Sequence, residues 1–183
     1  MSNQKNTAHN NVAILDVPCS FANDVQQYLE AIKQCVETPK QTYPLTKETV
    51  AALEEDVPGI YAIYHNGKLN YVGESGCLKE RAGDLFKTWN HGFRRSVGTE
   101  YFEHHPKYET PSSTKSFDPE IEKALNDLYK ESFSIVFISI RFGRTEVEEY
   151  LVSKFQCCLR NKRTRRGEKK SRRQDIARAG ATR

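Results

Sequence analysis

The sequence predicts an α+β fold in which a small antiparallel or mixed three-stranded β-sheet is flanked by helices. Two stretches predict the strands: residues 59–73 alternate around an Asn-Gly pair, and residues 133–142 are rich in β-branched and aromatic side chains. Elsewhere, apolar residues recur every three or four positions, which is typical of the buried face of a helix. These patterns predict one domain of ordinary size.

Residues 1–57 form an N-terminal region that we expect to contain a polar, disordered tail followed by helices. The tail covers residues 1–11. The apolar positions within residues 20–37 predict an amphipathic helix, and Thr46 can cap a second, shorter helix. We expect these helices to pack on the hairpin described next, or to contact a substrate or a second subunit.

A β-hairpin followed by a short helix comes next. Asn66-Gly67 suits a tight type I′ turn, because both residue types tolerate a positive φ. Tyr61 and Tyr71 then lie on paired strands, and Ser75 can cap the helix whose first turns contain Arg81. Each residue alone has an ordinary structural explanation, because Tyr favours strands and Arg is common on solvated helix faces. Together they indicate a site that local structure assembles.

A long connection over residues 88–119 follows this helix. It combines aromatic rings with guanidinium groups, as a loop that contacts phosphates and bases does, in Trp89, His91, Phe93, Arg94 and Arg95. We therefore treat Arg94 and Arg95 as candidate nucleic-acid contacts. An ordinary surface loop explains the same pattern equally well.

The last predicted elements are a helix, a strand and a second helix, which begin at Pro119, Phe133 and Arg144. On the second helix, Glu148 flanks the apolar stripe, whereas Glu149 projects away from it. A carboxylate at the edge of a packed face can reach a site on the sheet. Glu148 also has capping-box spacing from Thr145, which would give it a structural role at the helix start.

Charge is distributed unevenly along the 183 residues. The formal net charge is +4, yet residues 160–183 contain eleven Lys or Arg against two acidic residues. Such a segment can contact a polyanion, and it can equally be a solvated tail. We call residues 162–183 the basic arm; its candidate nucleic-acid contacts are Lys162, Arg163, Arg165 and Arg166.

Cysteine usage and hydropathy bear on the compartment. The five cysteines are odd in number, form no CxxC pair and follow no apolar signal segment. No apolar run approaches the roughly 18 residues that a membrane span needs. We therefore expect a cytoplasmic protein without a membrane partner.

Three motifs resemble the GIY-YIG nuclease family: GIY at 59–61, YVG at 71–73, and Arg81, ten residues past Tyr71. The resemblance extends to residues 141–161. It implies a nuclease core at residues 58–161, in which the further motif residues are Gly59, Gly73 and Asn161.

The resemblance also implies a site for one divalent metal ion. Members of the family carry a metal-binding Glu that is followed after three and four residues by aliphatic side chains, as Leu151 and Val152 follow Glu148. Glu149 remains an alternative, because Asn161 lies twelve residues past it, the spacing usual in the family. The implied cofactor is Mg²⁺ or Mn²⁺.

Roles for the other site residues follow from the same resemblance. Tyr61 or Tyr71 would orient or deprotonate the attacking water, and Arg81 would hold the scissile phosphate. Some members place a His one helical turn beyond the Arg. This chain has Leu85 at that position, so His91 is the candidate substitute.

The implied function is that of a DNA endonuclease that hydrolyses phosphodiester bonds, with DNA as the partner. The small size resembles restriction-type or standalone members of the family. A non-catalytic nucleic-acid-binding module on the same fold is the alternative. A homodimer is left open.

Overall fold

A computed structural model describes residues 19–161 of the chain. This part contains six helices and four strands: α1 Cys19–Glu37, β1 Tyr43–Pro44, α2 Lys47–Ala51, β2 Gly59–His65, β3 Lys68–Ser75, α3 Leu78–Asp84, α4 Gly92–Phe102, α5 Pro119–Ser132, β4 Phe133–Ser139 and α6 Arg144–Lys154. The α+β prediction is confirmed. None of these helices is both long and apolar enough to cross a bilayer. The expected N-terminal tail and the basic arm, with Lys162, Arg163, Arg165 and Arg166, lie outside the described residues.

The sheet is antiparallel throughout, in the order β1-β4-β2-β3. The prediction of three strands is wrong, because Tyr43–Pro44 adds a fourth strand that pairs with Ser134 and Ile135 of β4. A two-residue strand is too short to show alternation, and its proline fits only at a sheet edge. The core three strands are those that the sequence predicts.

The hairpin of β2 and β3 forms as predicted. Asn66 and Gly67 have φ angles of 49° and 75°, which are the left-handed conformations that a type I′ turn requires. The strand register then pairs Tyr61 with Gly73. Tyr61 and Tyr71 belong to the same hydrophobic core, so their rings lie on one face of the hairpin.

The sheet separates two hydrophobic cores. The face that carries Tyr61 is covered by α3, α4 and α5, which bury Leu78, Phe93 and Leu125 there. The opposite face is covered by α1 and α6, which bury Val36 and Leu151 against Ile60 and Val72. Full burial of one such side chain contributes about 1.5–3 kcal/mol. The helices therefore hold both faces of the strands that carry the candidate residues.

Helix α4 lies inside the connection that we expected to be a long loop. Two glycines lower its helix propensity, and the apolar stripe is short, so the pattern gave little helix signal. Gly98 is needed for packing, because a Cβ there would lie 2.3 Å from the ring of Phe117. Tertiary contact thus overrides local propensity in this helix.

Two helix starts differ from the prediction. Ser75 does not cap α3; the N-cap residue is Cys77, and its N–H donates to the Ser75 hydroxyl at 3.1 Å. Helix α6 begins after Gly143, whose φ is 71°, so Thr145 is inside the helix and forms no capping box with Glu148. The predicted cap at Thr46 is confirmed by a 3.2 Å hydrogen bond from the Thr49 N–H.

The outer edge of β3 is covered by the segment that follows α6. The Asn161 side chain accepts a hydrogen bond from the Val72 N–H at 3.0 Å and donates one to the Val72 carbonyl at 2.6 Å. The Arg160 N–H donates to the Asn70 carbonyl at 2.8 Å. The Asn161 side chain and the Arg160 N–H therefore satisfy backbone groups of β3 that would otherwise be unpaired at the edge of the sheet.

Candidate active site

Tyr61 is the buried centre of the candidate site. Its side chain is fully buried and lies across Gly73 on the neighbouring strand. A Cβ at position 73 would come within 2.4 Å of the Tyr61 hydroxyl oxygen, so the ring position requires glycine there. Gly59 has a different constraint, because a Cβ would lie 2.1 Å from the Ile138 carbonyl oxygen of β4.

His91 fixes the Tyr61 hydroxyl from helix α4. It is the N-cap of that helix, and its Nδ1 accepts a hydrogen bond from the Phe93 N–H at 3.2 Å. Its Nε2 lies 3.0 Å from the Tyr61 hydroxyl oxygen. Because Nδ1 is an acceptor, the neutral ring carries its proton on Nε2, and this N–H donates a hydrogen bond to the Tyr61 hydroxyl oxygen. Burial, and then the charge of Arg81, lower the pKa of His91 from 6.5 to about 3, so the ring is neutral near pH 7.

Tyr71 completes the aromatic cluster and is its more accessible member. Its ring stacks on Tyr61 with centroids 6.0 Å apart, and the centroid of the His91 ring lies 5.8 Å away. The Phe93 ring also contacts it, with centroids 5.1 Å apart. Tyr71 is only partly buried and borders an open cavity. Of the two tyrosines, it is therefore the one that solvent or a ligand can reach.

Arg81 lies beside the tyrosine pair on helix α3. Burial, and then the neighbouring Tyr71, raise the pKa of Tyr61 well above its usual value near 10, whereas Arg81 acts in the opposite direction. Tyr61 is therefore a neutral phenol at physiological pH. The Arg81 side chain is 33 % exposed, and its contact to Asp84 is long, at 3.9 Å. Its guanidinium group can therefore accept an incoming anion.

The two candidate carboxylates of α6 differ in burial. Glu148 is 3 % exposed, whereas Glu149 is exposed, as the predicted helical phase requires. Helix α6 packs on the sheet face opposite to the tyrosine cluster, through Val147 and Leu151, and it makes its main sheet contact with β3. The helix that carries Glu148 is thus separated from Tyr61 by the sheet, although it lies against the strand that contains Tyr71.

Glu148 fits a site for a hard cation better than a site of several protein ligands. Within residues 19–161, no group of three or more His, Cys, Asp or Glu side chains could hold a metal ion. A zinc site of the usual kind takes at least three such ligands. Mg²⁺ retains several waters and takes as few as one or two carboxylates together with substrate phosphates, so a single carboxylate is compatible with it.

The prediction of Arg94 as a nucleic-acid contact is wrong. Its side chain is fully buried, and its guanidinium binds the Glu122 carboxylate at 2.6 Å and lies 5.3 Å from the centre of the Tyr129 ring. A buried, paired arginine of this kind holds α4 against α5. Arg95 differs, because it is only partly buried and borders the same cavity as Tyr71.

Sequence reasoning did not predict that Phe93 packs against Tyr71 in the core, or that Arg94 forms an ion pair with Glu122. Neither had a periodic signal, because α4 itself was not predicted. The helix start at His91 was the available signal, since a residue with a side-chain acceptor stands directly before Gly92 and Phe93.

No protein-family model, curated protein or solved structure matches the chain. The likeness to GIY-YIG nucleases thus remains a prediction from the motifs.

Proposed function

We propose that the chain is a DNA endonuclease that hydrolyses phosphodiester bonds with one divalent metal ion. The observation that carries this proposal is the cluster of Tyr61, His91 and Tyr71 beside the guanidinium group of Arg81. It combines a partly exposed tyrosine with a neighbouring positive charge. Phosphoryl transfer is accelerated mainly by such positioning and electrostatic stabilisation.

The two tyrosines have different roles in this proposal. Tyr61 is a buried neutral phenol held by His91, so it positions the neighbouring ring and does not meet the water. Tyr71 orients or deprotonates the attacking water, because it is only partly buried and lines the open cavity. A phenol needs nearby positive charge for the base role, and Arg81 interacts electrostatically with both tyrosines.

Arg81 and Glu148 act on the phosphate in this proposal. Arg81 holds the scissile phosphate and stabilises the charge that develops on its oxygens. Glu148 is the residue that would hold Mg²⁺ or Mn²⁺. When bound, the ion supplies Lewis-acid stabilisation of the leaving 3′ oxygen.

The biological setting belongs to the same proposal. The motifs and the small size favour a restriction-type or standalone enzyme that acts on DNA in the cytoplasm. The basic arm would supply phosphate contacts that do not depend on base sequence. A homodimer would allow both strands of a duplex to be cut.

Cleavage of DNA by matched variants tests the proposal. Plasmid and linear duplexes of varied sequence are incubated with wild type, Arg81→Ala or Lys79→Ala, in Mg²⁺ or in EDTA. Lys79→Ala removes a charge from the same helix, where Lys79 pairs with Glu55. We expect cleavage only with Mg²⁺, a loss of about 100-fold or more in Arg81→Ala, and little change in Lys79→Ala. Uncut DNA with wild type, or equal cleavage by Arg81→Ala, would refute the enzyme proposal.

A non-catalytic nucleic-acid-binding module is the second candidate. The observation that favours it is the position of helix α6, on the sheet face opposite to the tyrosine cluster. Tight, salt-sensitive DNA binding without metal-dependent nicking would support this candidate over the nuclease.

A further inference from the structure

A cavity of about 470 Å³ lies directly beside Tyr71. It opens between helix α4, residues 110–111 and Arg160. Pockets for small ligands in proteins have roughly 300–1,000 Å³. The cavity therefore has the size of a ligand site, and it shares a wall with the proposed active site.

The wall of the cavity combines three kinds of side chain. Its aromatic members are Tyr71 and Phe93, whose ring centroids are 5.1 Å apart. Its hydroxyl groups come from Ser96, Thr99 and Thr110, and its guanidinium groups from Arg95 and Arg160. Aromatic faces bind nucleobases by stacking, and guanidinium groups bind phosphates.

Arg95 is the cation best placed to receive an anion there. Its Nη1 donates to the carbonyls of Thr88 and Trp89 at 2.8 Å and 3.0 Å, which holds the guanidinium in place. Within residues 19–161, no carboxylate lies within 4.0 Å of it. Arg160 differs, because it is already paired with the Glu100 carboxylate and the Asn70 side chain. Arg95 is thus a partly buried positive charge that lines the cavity, is held by two backbone carbonyls and forms no salt bridge within residues 19–161.

We propose that this cavity binds one unpaired nucleotide of the DNA strand, next to the phosphodiester bond that is cleaved. Arg95 holds the phosphate of this nucleotide, and its base lies against the ring of Tyr71. Substrates in which a nucleotide is already unpaired avoid the cost of unstacking it, so they bind better than continuous duplex. This inference rests on the proposed nuclease function.

Binding in EDTA tests the inference without cleavage. Fluorescence anisotropy is measured with a labelled duplex that contains a one-nucleotide bulge, with the matching continuous duplex, and with dTMP as a competitor. We expect the bulged duplex to bind about tenfold more tightly than the continuous duplex. Arg95→Ala should remove most of this preference, whereas Lys123→Ala, which removes an exposed charge on α5, should preserve it.

A second variant covers the case in which Arg95→Ala does not fold. Ser96→Tyr fills the cavity and removes no charge, so it should also abolish the preference for the bulged duplex. Far-UV circular dichroism and thermal midpoints establish that each variant is folded. Equal affinity of wild type for the two duplexes, or an unchanged preference in folded Ser96→Tyr, overturns the inference. dTMP is compared with unlabelled bulged duplex as a competitor of the labelled bulged duplex. If both displace it at the same concentration, the cavity is a site for free nucleotides, and the assignment to DNA is overturned.

The two proposals fail separately. Cleavage that requires Mg²⁺ and Arg81, without any preference for an unpaired nucleotide, leaves the nuclease intact and removes only this inference. A preference that depends on Arg95, without cleavage of any DNA, supports the cavity as a nucleotide site and removes the enzyme.

Discussion

His91 links two elements of the molecule through a single ring. Its Nδ1 accepts a hydrogen bond from the Phe93 N–H in the first turn of α4, and its Nε2–H donates to the Tyr61 hydroxyl on β2. The helix start and the position of the tyrosine therefore depend on one another. Protonation of Nδ1 would remove the acceptor that the Phe93 N–H uses, so the site requires the neutral ring.

Lowering the pH is expected to destabilise the protein through His91. The pKa of His91 is 6.5 when it is unperturbed and about 3 in the folded protein, so between these values the unfolded chain binds a proton that the folded protein does not. The contribution of the neutral His91 to the free energy of unfolding is fully present above about pH 6.5. It is lost as the pH falls toward 3, by up to roughly 1.4 kcal/mol per pH unit. Urea unfolding at several pH values measures this slope.

His91→Asn is the matched control for this titration. Asn keeps a side-chain oxygen that can cap α4 but has no titrating group. The pH dependence of its free energy of unfolding should be shallower than that of wild type over the same range. Identical slopes would show that His91 is not a buried neutral ring.

A largely buried ion pair joins helix α4 to α5. Besides the Glu122 carboxylate, the Arg94 guanidinium contacts the Thr88 hydroxyl at 3.1 Å and the Leu85 carbonyl at 3.5 Å. The pair therefore joins the end of α3 to both later helices. Since α4 carries His91 and Arg95, this pair also positions the site and the cavity.

Arg94→Ala is expected to lower the free energy of unfolding by about 3 kcal/mol, because the partly buried Glu122 carboxylate loses the positive charge paired with it. Arg141→Ala, which alters an exposed side chain, should change it by less than about 0.5 kcal/mol. Urea denaturation of both variants makes the comparison. A cost for Arg94→Ala as small as that for Arg141→Ala would mean that the pair does not hold α4 in place.

Asn161 stabilises strand β3, which carries Tyr71. Asn161→Ala leaves both backbone groups of the buried Val72 without their partners and should cost about 1–3 kcal/mol. Asn90→Ala provides the control, since the Asn90 side chain donates to the Asp84 carboxylate on α3. Hydrogen exchange of the Val72 amide should become faster in Asn161→Ala and remain unchanged in Asn90→Ala. Unchanged exchange in both variants would exclude this role for Asn161.

Much of the molecule could be predicted because its signals are local. The Asn66-Gly67 turn needs a positive φ at both residues, and the helix at Pro119 has a cap at Asp118, so neighbouring residues alone determine these features. The aromatic cluster forms for a related reason, since Tyr61 and Tyr71 are joined by a two-residue turn. Their pairing with Arg81 requires only the next helix.

The remaining features depend on contacts between distant segments. Strand β1 exists because β4 offers an edge to two residues about ninety positions earlier. Arg94 had the same local appearance as Arg95, and only Glu122 on α5 distinguishes a buried ion pair from a surface charge. The position of Glu148 likewise follows from the packing of α6 against β3, β2 and α1, which the spacing of apolar residues within α6 does not reveal.

The nuclease proposal requires groups on both sides of the sheet to act on one phosphate. The tyrosine cluster and Arg81 lie on one face, and the helix with Glu148 lies on the other. In the proposal, Arg81 would hold the phosphate on one side, and Glu148 would hold the metal ion that supplies Lewis-acid stabilisation from the other. Glu149 points away from the stripe and is exposed, so it offers a control of the same chemistry on the same helix.

Cleavage of DNA by Glu148→Gln and Glu149→Gln in Mg²⁺ tests this claim most directly. The rate of a single turnover is measured for each variant beside wild type, with circular dichroism to establish folding. Glu148→Gln should lose about 100-fold or more in rate, because the amide lacks the negative charge with which the carboxylate would bind the divalent ion. Glu149→Gln should cleave nearly as fast as wild type. Full activity in Glu148→Gln, or a loss confined to Glu149→Gln, would contradict the proposed metal site.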